Sequence, residues 1–346
     1  MKKVLLSAKH KPRFIHLAWM MGVVSALYPF QNRADLTQGD YSYITNTTGQ
    51  AIITGFNTAF AGYLTVADSL GGFQVAGIGE CAFSECSGIT GITIPAGVAD
   101  IGEGAFEGCA ALRTLTLFQD LSSFDASFVM GFDCAALTNV VVGPGVTVIG
   151  ENAFADCSGL LAVSLPGGLA EIGAGAFYAC AGLASVAIPE SVVSLGAGVF
   201  ERCTGLTDIR IPNLVTNVPG YAFYSCTSLT NVLIGAGVED VGAWAFFGCE
   251  LLPAITLPTN VQSVGEGAFE GCTALKSMTL HNDIAEFRAD SVFGWDCGVV
   301  EEVVIGDGVP EIGPGAFEGC GGLASLTLGE GRSEERRVGK ECRSRW

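Results

Sequence analysis

Across 346 residues the chain carries a formal charge of −18, is 49% apolar and only 15% charged, and holds 48 glycines. The apolar content excludes intrinsic disorder, the lack of a three-residue glycine period excludes collagen, and the charge excludes an electrostatic nucleic-acid binder. His10 and His16 lie near the N-terminus, so His281 alone is left for any histidine-based metal site or catalytic machine.

The first segment reads as a secretory signal peptide, residues 1–26. Lys2, Lys3, Lys9, Lys11 and Arg13 form a basic run, followed by an apolar stretch from Phe14 to about Ala26. Val24-Ser25-Ala26 satisfies the small-residue rule for cleavage after Ala26, with Ala34 as a second position. The apolar run is short for a membrane span, although an uncleaved N-terminal anchor is the alternative.

From residue 78 the chain repeats itself. Cys86, Cys109, Cys134, Cys157, Cys180, Cys203, Cys226, Cys249, Cys272, Cys297 and Cys320 follow one another at 23 residues, with gaps of 25 before Cys134 and Cys297. Aligned on cysteine, eleven units begin at Ile78, Ile101, Phe124, Ile149, Ile172, Leu195, Val218, Val241, Val264, Phe287 and Ile312. Their consensus is I-G-x-G-A-F-x-x-C-x-x-L-x-x-[VIL]-x-[IL]-P-x-x-V-x-x. Apolar residues at i, i+3 and i+6 in A-F-x-x-C-x-x-L suggest one or two helical turns. The following [VIL]-x-[IL], as in Val186-Ala187-Ile188, alternates with period two and predicts a short strand. Pro95, Pro166, Pro189, Pro212 and Pro258 end that strand, and the Gly-rich I-G-x-G permits a corner. No unit can bury its own apolar face, so stacking must lay Phe on Phe, Cys on Cys and Leu on Leu.

These units resemble the leucine-rich repeats of the BspA-like (Treponema pallidum-type) family, over Ile78 to about Glu330. The resemblance implies an α/β repeat: a leucine-rich-repeat solenoid with a parallel β-sheet on one face, short helical segments on the other and a small β-rich N-terminal cap. Residues 27–77 resemble that cap and an irregular first repeat, in Tyr41-Ser42-Tyr43-Ile44, Gln50–Gly55, Gly62–Val66 and Leu70–Val75. The units occupy 78–331, the last cut short. The family further implies a secreted or cell-surface protein that mediates protein–protein interaction or adhesion, with a protein or cell-surface ligand as partner. A structural stalk carrying a further C-terminal domain is the alternative. No catalytic role, cofactor or metal is expected.

Two units depart in the same way, FDASFVMGFDC (Phe124–Cys134) and FRADSVFGWDC (Phe287–Cys297). Both lack Phe three residues before Cys. Met130 and Phe293 are expected to refill the core, whereas Phe132 and Trp295 either do so or face outward. The phased cysteines read as a buried, all-reduced ladder; Cys81, at a corner where Gly104, Gly175 and Gly267 stand in other units, is the exposed exception. Glu80, Glu103, Glu151 and Glu266 share one corner column, and Asp100, Glu171, Asp240, Glu286 and Glu311 another, read as solvated acidic edges.

Outward strand positions form a column from Thr93 and Thr116 through Arg210 and Leu233 to Thr327, beside a second from Gly91 through Asp208 to Ser325. Most members are small and uncharged. Asp208, Arg210 and Leu233 stand out by chemical character and are the candidate binding residues. At the far end, Arg332–Trp346 (RSEERRVGKECRSRW) resembles an in-frame translation of a short-read sequencing adapter and is excluded from fold reasoning. Without it and the leader, the remaining chain carries about −26.

Overall fold

A computed structural model describes residues 35–131, 134–281, 289–293, 298–306, 316–317 and 320–329. The expected leader, the tail 332–346, Phe132 and Trp295 lie outside the described residues.

The fold opens with an antiparallel meander of β1 (Leu36–Gln38), β2 (Tyr41–Thr45) and β3 (Ala51–Phe56). Asn46 closes the β2–β3 turn: its Oδ1 accepts from the backbone N–H groups of Thr48 and Gln50. β4 (Gly62–Thr65), β5 (Ser69–Leu70) and β6 (Phe73–Ile78) follow. The N-terminal cap then seeds both ladders of the repeats, through β3 and β4. β3 pairs in parallel with β6, and β6 with Asp100–Ile101, in the register Ile53↔Ile78↔Ile101. β4 pairs in parallel with Ile89–Ile94, with Thr65 opposite Thr93.

The main ladder runs through the strands predicted from the period-two segments. Thr93, Thr116, Val141 and Ser164 lie in register, as do Arg210 with Leu233, and Thr256, Thr279, Val304 and Thr327. A second ladder of two-residue strands forms where the sequence suggests only a corner. Val148–Ile149, Glu171–Ile172 and Ser194–Leu195 pair in parallel, and so do Asn217–Val218, Asp240–Val241 and Ser263–Val264.

The short helical face expected from the apolar spacing does not form. Among the described residues, α-helix occurs only at Ala126–Val129 and Ala289–Val292, both inside the two departing units. Elsewhere A-F-x-x-C is a run of turns, and its hydrogen bonds show why. In the unit from Ile78, the N–H groups of Cys81, Phe83 and Glu85 donate across to Glu103, Ala105 and Glu107 of the next unit. Those of Ala82, Ser84 and Cys86 donate back to Gly79, Cys81 and Phe83. Half of the donors therefore leave the unit, which no i→i−4 helix permits. Two residues per unit, four apart, also take left-handed φ angles, such as Cys81 and Glu85 at 55° and 61°, and these break any helix.

Inside, the predicted ladders are continuous. Phe154, Phe177, Phe200, Phe223, Phe246 and Phe269 are fully buried, with successive ring centroids 5.1 to 5.7 Å apart. Phe56 of the cap starts the stack on Phe83 at 5.1 Å. In the departing units Met130 and Phe293 are buried as expected, and Phe124 stacks on Phe154 at 5.5 Å.

The cysteine ladder is not wholly reduced. Most members donate Sγ–H to the carbonyl of the Phe one unit back, as Cys180 does to Phe154 and Cys203 to Phe177, each at 3.1 Å. Cys134 and Cys157, however, form a disulfide, and Cys320 is disulfide-bonded too. Their Cα–Cα distance of 4.9 Å falls within disulfide reach. For Cys157 the residue at the Phe position one unit back is Gly131, in the unit where the helix Ala126–Val129 replaces the usual turns.

Candidate binding surface

Period-two alternation in the main strands points every second residue to solvent, so parallel stacking converts single residues into columns. Asp208–Arg210 and Asn231–Leu233 are adjacent strands. Asp208 lies opposite Asn231, and Arg210 opposite Leu233. All three candidate residues are thus brought to one stretch of the outward face, exposed, with Leu233 51% accessible.

One partner escaped the sequence reading. Glu190 directly follows Pro189, which ends the strand segment of the preceding unit, and its Oε1 accepts from Arg210 Nε at 2.9 Å. Arg210 Nη2 approaches the same oxygen at 2.9 Å. That hydrogen bond, with a longer one from the Asn213 N–H at 3.4 Å, holds the Glu190 carboxyl below its ordinary range. The contact spans 20 residues. The signal for it was the 23-residue period itself, which sets Pro189-Glu190 beside Pro212-Asn213, two to three residues after Arg210. Asp208 makes a local contact instead, accepting from Thr207 Oγ1 at 3.0 Å.

At the cap end the outward face is covered. Tyr63 Oη lies 2.9 Å from Thr93 Oγ1 and 3.0 Å from Thr116 Oγ1. Its ring occupies the space over Gly91, where a Cβ would come within 2.6 Å. The threonine column is therefore bridged by a tyrosine at the point where it would otherwise be most regular.

The acidic corners divide in two. Glu80 and Glu103 occupy adjacent units, but Glu171 and Asp240 are flanked in register by Val148 and Ser194, and by Asn217 and Ser263. Ser263 Oγ donates to Asp240 Oδ1 at 2.6 Å. Glu171 and Asp240 are thus spaced by neutral residues rather than stacked, while Glu286 and Glu311 lie outside the described residues. Among the described residues no group of three or more His, Cys, Asp or Glu could hold a metal ion, and no helix is long and apolar enough to cross a membrane.

A parallel ladder, one unit per 23 residues, with stacked Phe, Cys and Leu, matches the sequence model of the BspA type leucine rich repeat region over residues 59–131, 130–253 and 245–336. The chain belongs to the BspA-type leucine-rich-repeat family. Among solved structures this BspA-type chain is similar to a leucine rich cell surface protein from Faecalibacterium prausnitzii, at 23% identity over 88% of this chain and 96% of that one, with a TM-score of 0.41. It is similar to a Treponema pallidum leucine rich repeat protein at 22% identity over 70% and 91% of the two chains, with a TM-score of 0.36. The pneumococcal vaccine antigen PcpA is 17% identical over 79% of this chain and 87% of that one, at a TM-score of 0.37. No curated protein matches the chain. In this BspA-type array the residues with chemical character, Asp208, Arg210 and Leu233, sit on a scaffold of mostly small ones.

Proposed function

We propose that this BspA-type chain is a non-catalytic secreted or cell-surface module that binds a protein or cell-surface ligand through its outward strand face. The observation that carries the reading is the register of Asp208–Arg210 on Asn231–Leu233. It sets a guanidinium, its Glu190 counter-ion and an exposed leucine side by side on a rigid ladder. Family membership supports an interaction role, and the related F. prausnitzii protein carries the description of a cell surface protein. The single histidine beyond the N-terminal segment leaves little for histidine-based acid–base catalysis.

The test is adhesion of beads carrying the full chain to cultured cells, with and without protease stripping of the cell surface. Binding is expected to disappear on stripping and to fall several-fold with Arg210→Glu. The melting temperature should stay within about 2 °C, because exposed pairs of this kind contribute little to folding. Adhesion that ignores both stripping and substitution of Asp208, Arg210 and Leu233 together would refute the strand-face site.

A further inference from the structure

In the units that begin at Ile78, Ile101, Ile149, Ile172, Leu195, Val218, Val241 and Val264, the third residue after the leading apolar position takes a left-handed backbone. Gly104, Gly175, Gly198 and Gly267 fill it at φ of 59° to 62°. Tyr221 and Trp244 fill it in two adjacent units at φ of 61° and 54°. A side chain there costs about 1 kcal/mol or more relative to glycine. Burial does not offset that cost for Tyr221, which is 40% exposed. Large strained residues that do not serve the core point to a role on the surface.

The two rings are not isolated. Tyr221 and Trp244 lie 5.2 Å apart, Tyr221 and Tyr224 5.7 Å apart, and Tyr224 stacks on Phe247 at 4.7 Å. Four aromatic rings from two units thus form one patch on the turn side of the array, away from the strand face. The column that holds Tyr224 and Phe247 continues with Glu201 on one side and Glu270 on the other. Glu201 acts electrostatically on the Tyr221 phenol. The Trp244 ring covers Gly267, whose Cβ would lie 2.4 Å from the indole Nε1 and 3.2 Å from Glu270 Oε2. Arg202, beside Glu201, directs Nη1 toward Tyr178 Oη at 3.4 Å and acts electrostatically on Glu201 and Tyr224 as well.

We infer that this tetrad is a docking platform for a cationic segment of a protein partner, with Lys or Arg side chains on the Tyr221 and Trp244 rings between the carboxylates of Glu201 and Glu270. Ring faces carry negative quadrupole density and attract cations. Carboxylates at both ends of the aromatic block reinforce that preference through charge attraction, which a cation returns and a neutral sugar chain does not. Tyr and Trp are also the residue types that carry most binding energy at interfaces. This inference rests on the interaction reading above, but places a second contact surface on the opposite kind of backbone, turn rather than strand.

The test uses the full chain and an octa-arginine peptide, followed by titration calorimetry in moderate salt. The double variant Tyr221→Gly/Trp244→Gly leaves the net charge unchanged and installs the residue that other units hold there. Its affinity for the peptide is expected to fall at least tenfold, with a melting temperature equal to or above that of the parent. Glu201→Gln/Glu270→Gln should weaken binding several-fold, and Arg210→Glu on the strand face should not weaken it. The inference is overturned if the parent fails to bind the peptide or if the glycine variant binds as tightly. It is equally overturned if the glycine variant melts well below the parent, which would make the rings structural. Loss in that variant of binding to a neutral oligosaccharide, with peptide binding intact, would make the patch a glycan platform. Cell adhesion retained by the glycine variant, together with unchanged peptide affinity, would sink this site while leaving the strand-face reading standing.

Discussion

Cys81 shows how one position in a repeat acquires its own chemistry. It stands at φ 55° in the left-handed corner that glycine fills in other units, and its thiol is exposed, as the sequence indicates. Local desolvation and then the carboxylates of Glu80, Glu107 and Glu103 push the thiol above its ordinary range. Less thiolate is therefore present at neutral pH. Among the described cysteines, iodoacetamide should label Cys81 alone in the native protein, at a rate that climbs with pH and increases with Glu80→Gln; native-state labelling of Cys180, Cys203 or Cys226 would contradict their burial. Glycine carries a different constraint at Gly196. Its Cβ would lie 2.1 Å from the Ala174 backbone nitrogen, so the substitution must push two units apart. Gly196→Ala is expected to cost at least about 2 kcal/mol, read as a lower urea midpoint. Gly168→Ala, where a Cβ meets nothing within 4 Å, should leave the midpoint nearly unchanged.

At the scale of elements, the apolar spacing was legible and its backbone was not. Phe, Cys and Leu at intervals of three mark one buried face equally well in a helix and in a chain of i→i+3 turns. The deciding left-handed residues include Ala179, Arg202 and Ser225, at φ of 55°, 62° and 57°, none of which signals such a backbone. The thiol ladder built by those turns makes the fold sensitive to alkali. Burial pushes Cys109 and Cys203 up to about 12, and Cys180, Cys226 and Cys249 well above the usual thiol value. The unfolded chain releases these protons near the ordinary value of 9.0, while the folded chain keeps them. Stability is then complete below pH 9 and is lost as pH rises above it, toward 12 for Cys109 and Cys203. Urea midpoints between pH 8 and pH 11 should fall steeply, and Cys203→Ala should make that fall shallower. An unchanged slope in the variant would refute the linkage.

Over the whole molecule, each unit touches mainly its neighbours, through the two parallel ladders and the stacked side chains. Stability is then close to a sum of unit and interface contributions. Removing residues 172–194, one period in phase, should place Phe154 on Phe200 and leave a shorter protein that still unfolds cooperatively. A melting temperature lower by several degrees is expected; loss of the β-sheet circular dichroism signal would mean that long-range contacts hold the array. The departing units interrupt this regularity, bringing the described helices and the Cys134–Cys157 bridge. Reduction of that bridge should lower stability more than alkylation of Cys81.

The order of the units, the inward and outward columns and the strand register followed from the sequence alone, because a 23-residue period with apolar residues at fixed offsets admits only one way of stacking. Asp208, Arg210 and Leu233 could be placed on one face for the same reason. Tertiary structure decided what depends on contacts between units. Whether A-F-x-x-C coils into helix or turns was settled by N–H groups that donate to the next unit. Whether a cysteine stays free or bridges to its neighbour was decided by the packing of adjacent units, and Glu190 met Arg210 only once two units had stacked. The Tyr221–Trp244–Tyr224–Phe247 patch was hidden similarly: its members are scattered over 27 residues of sequence, and only the left-handed corner turns them toward one another.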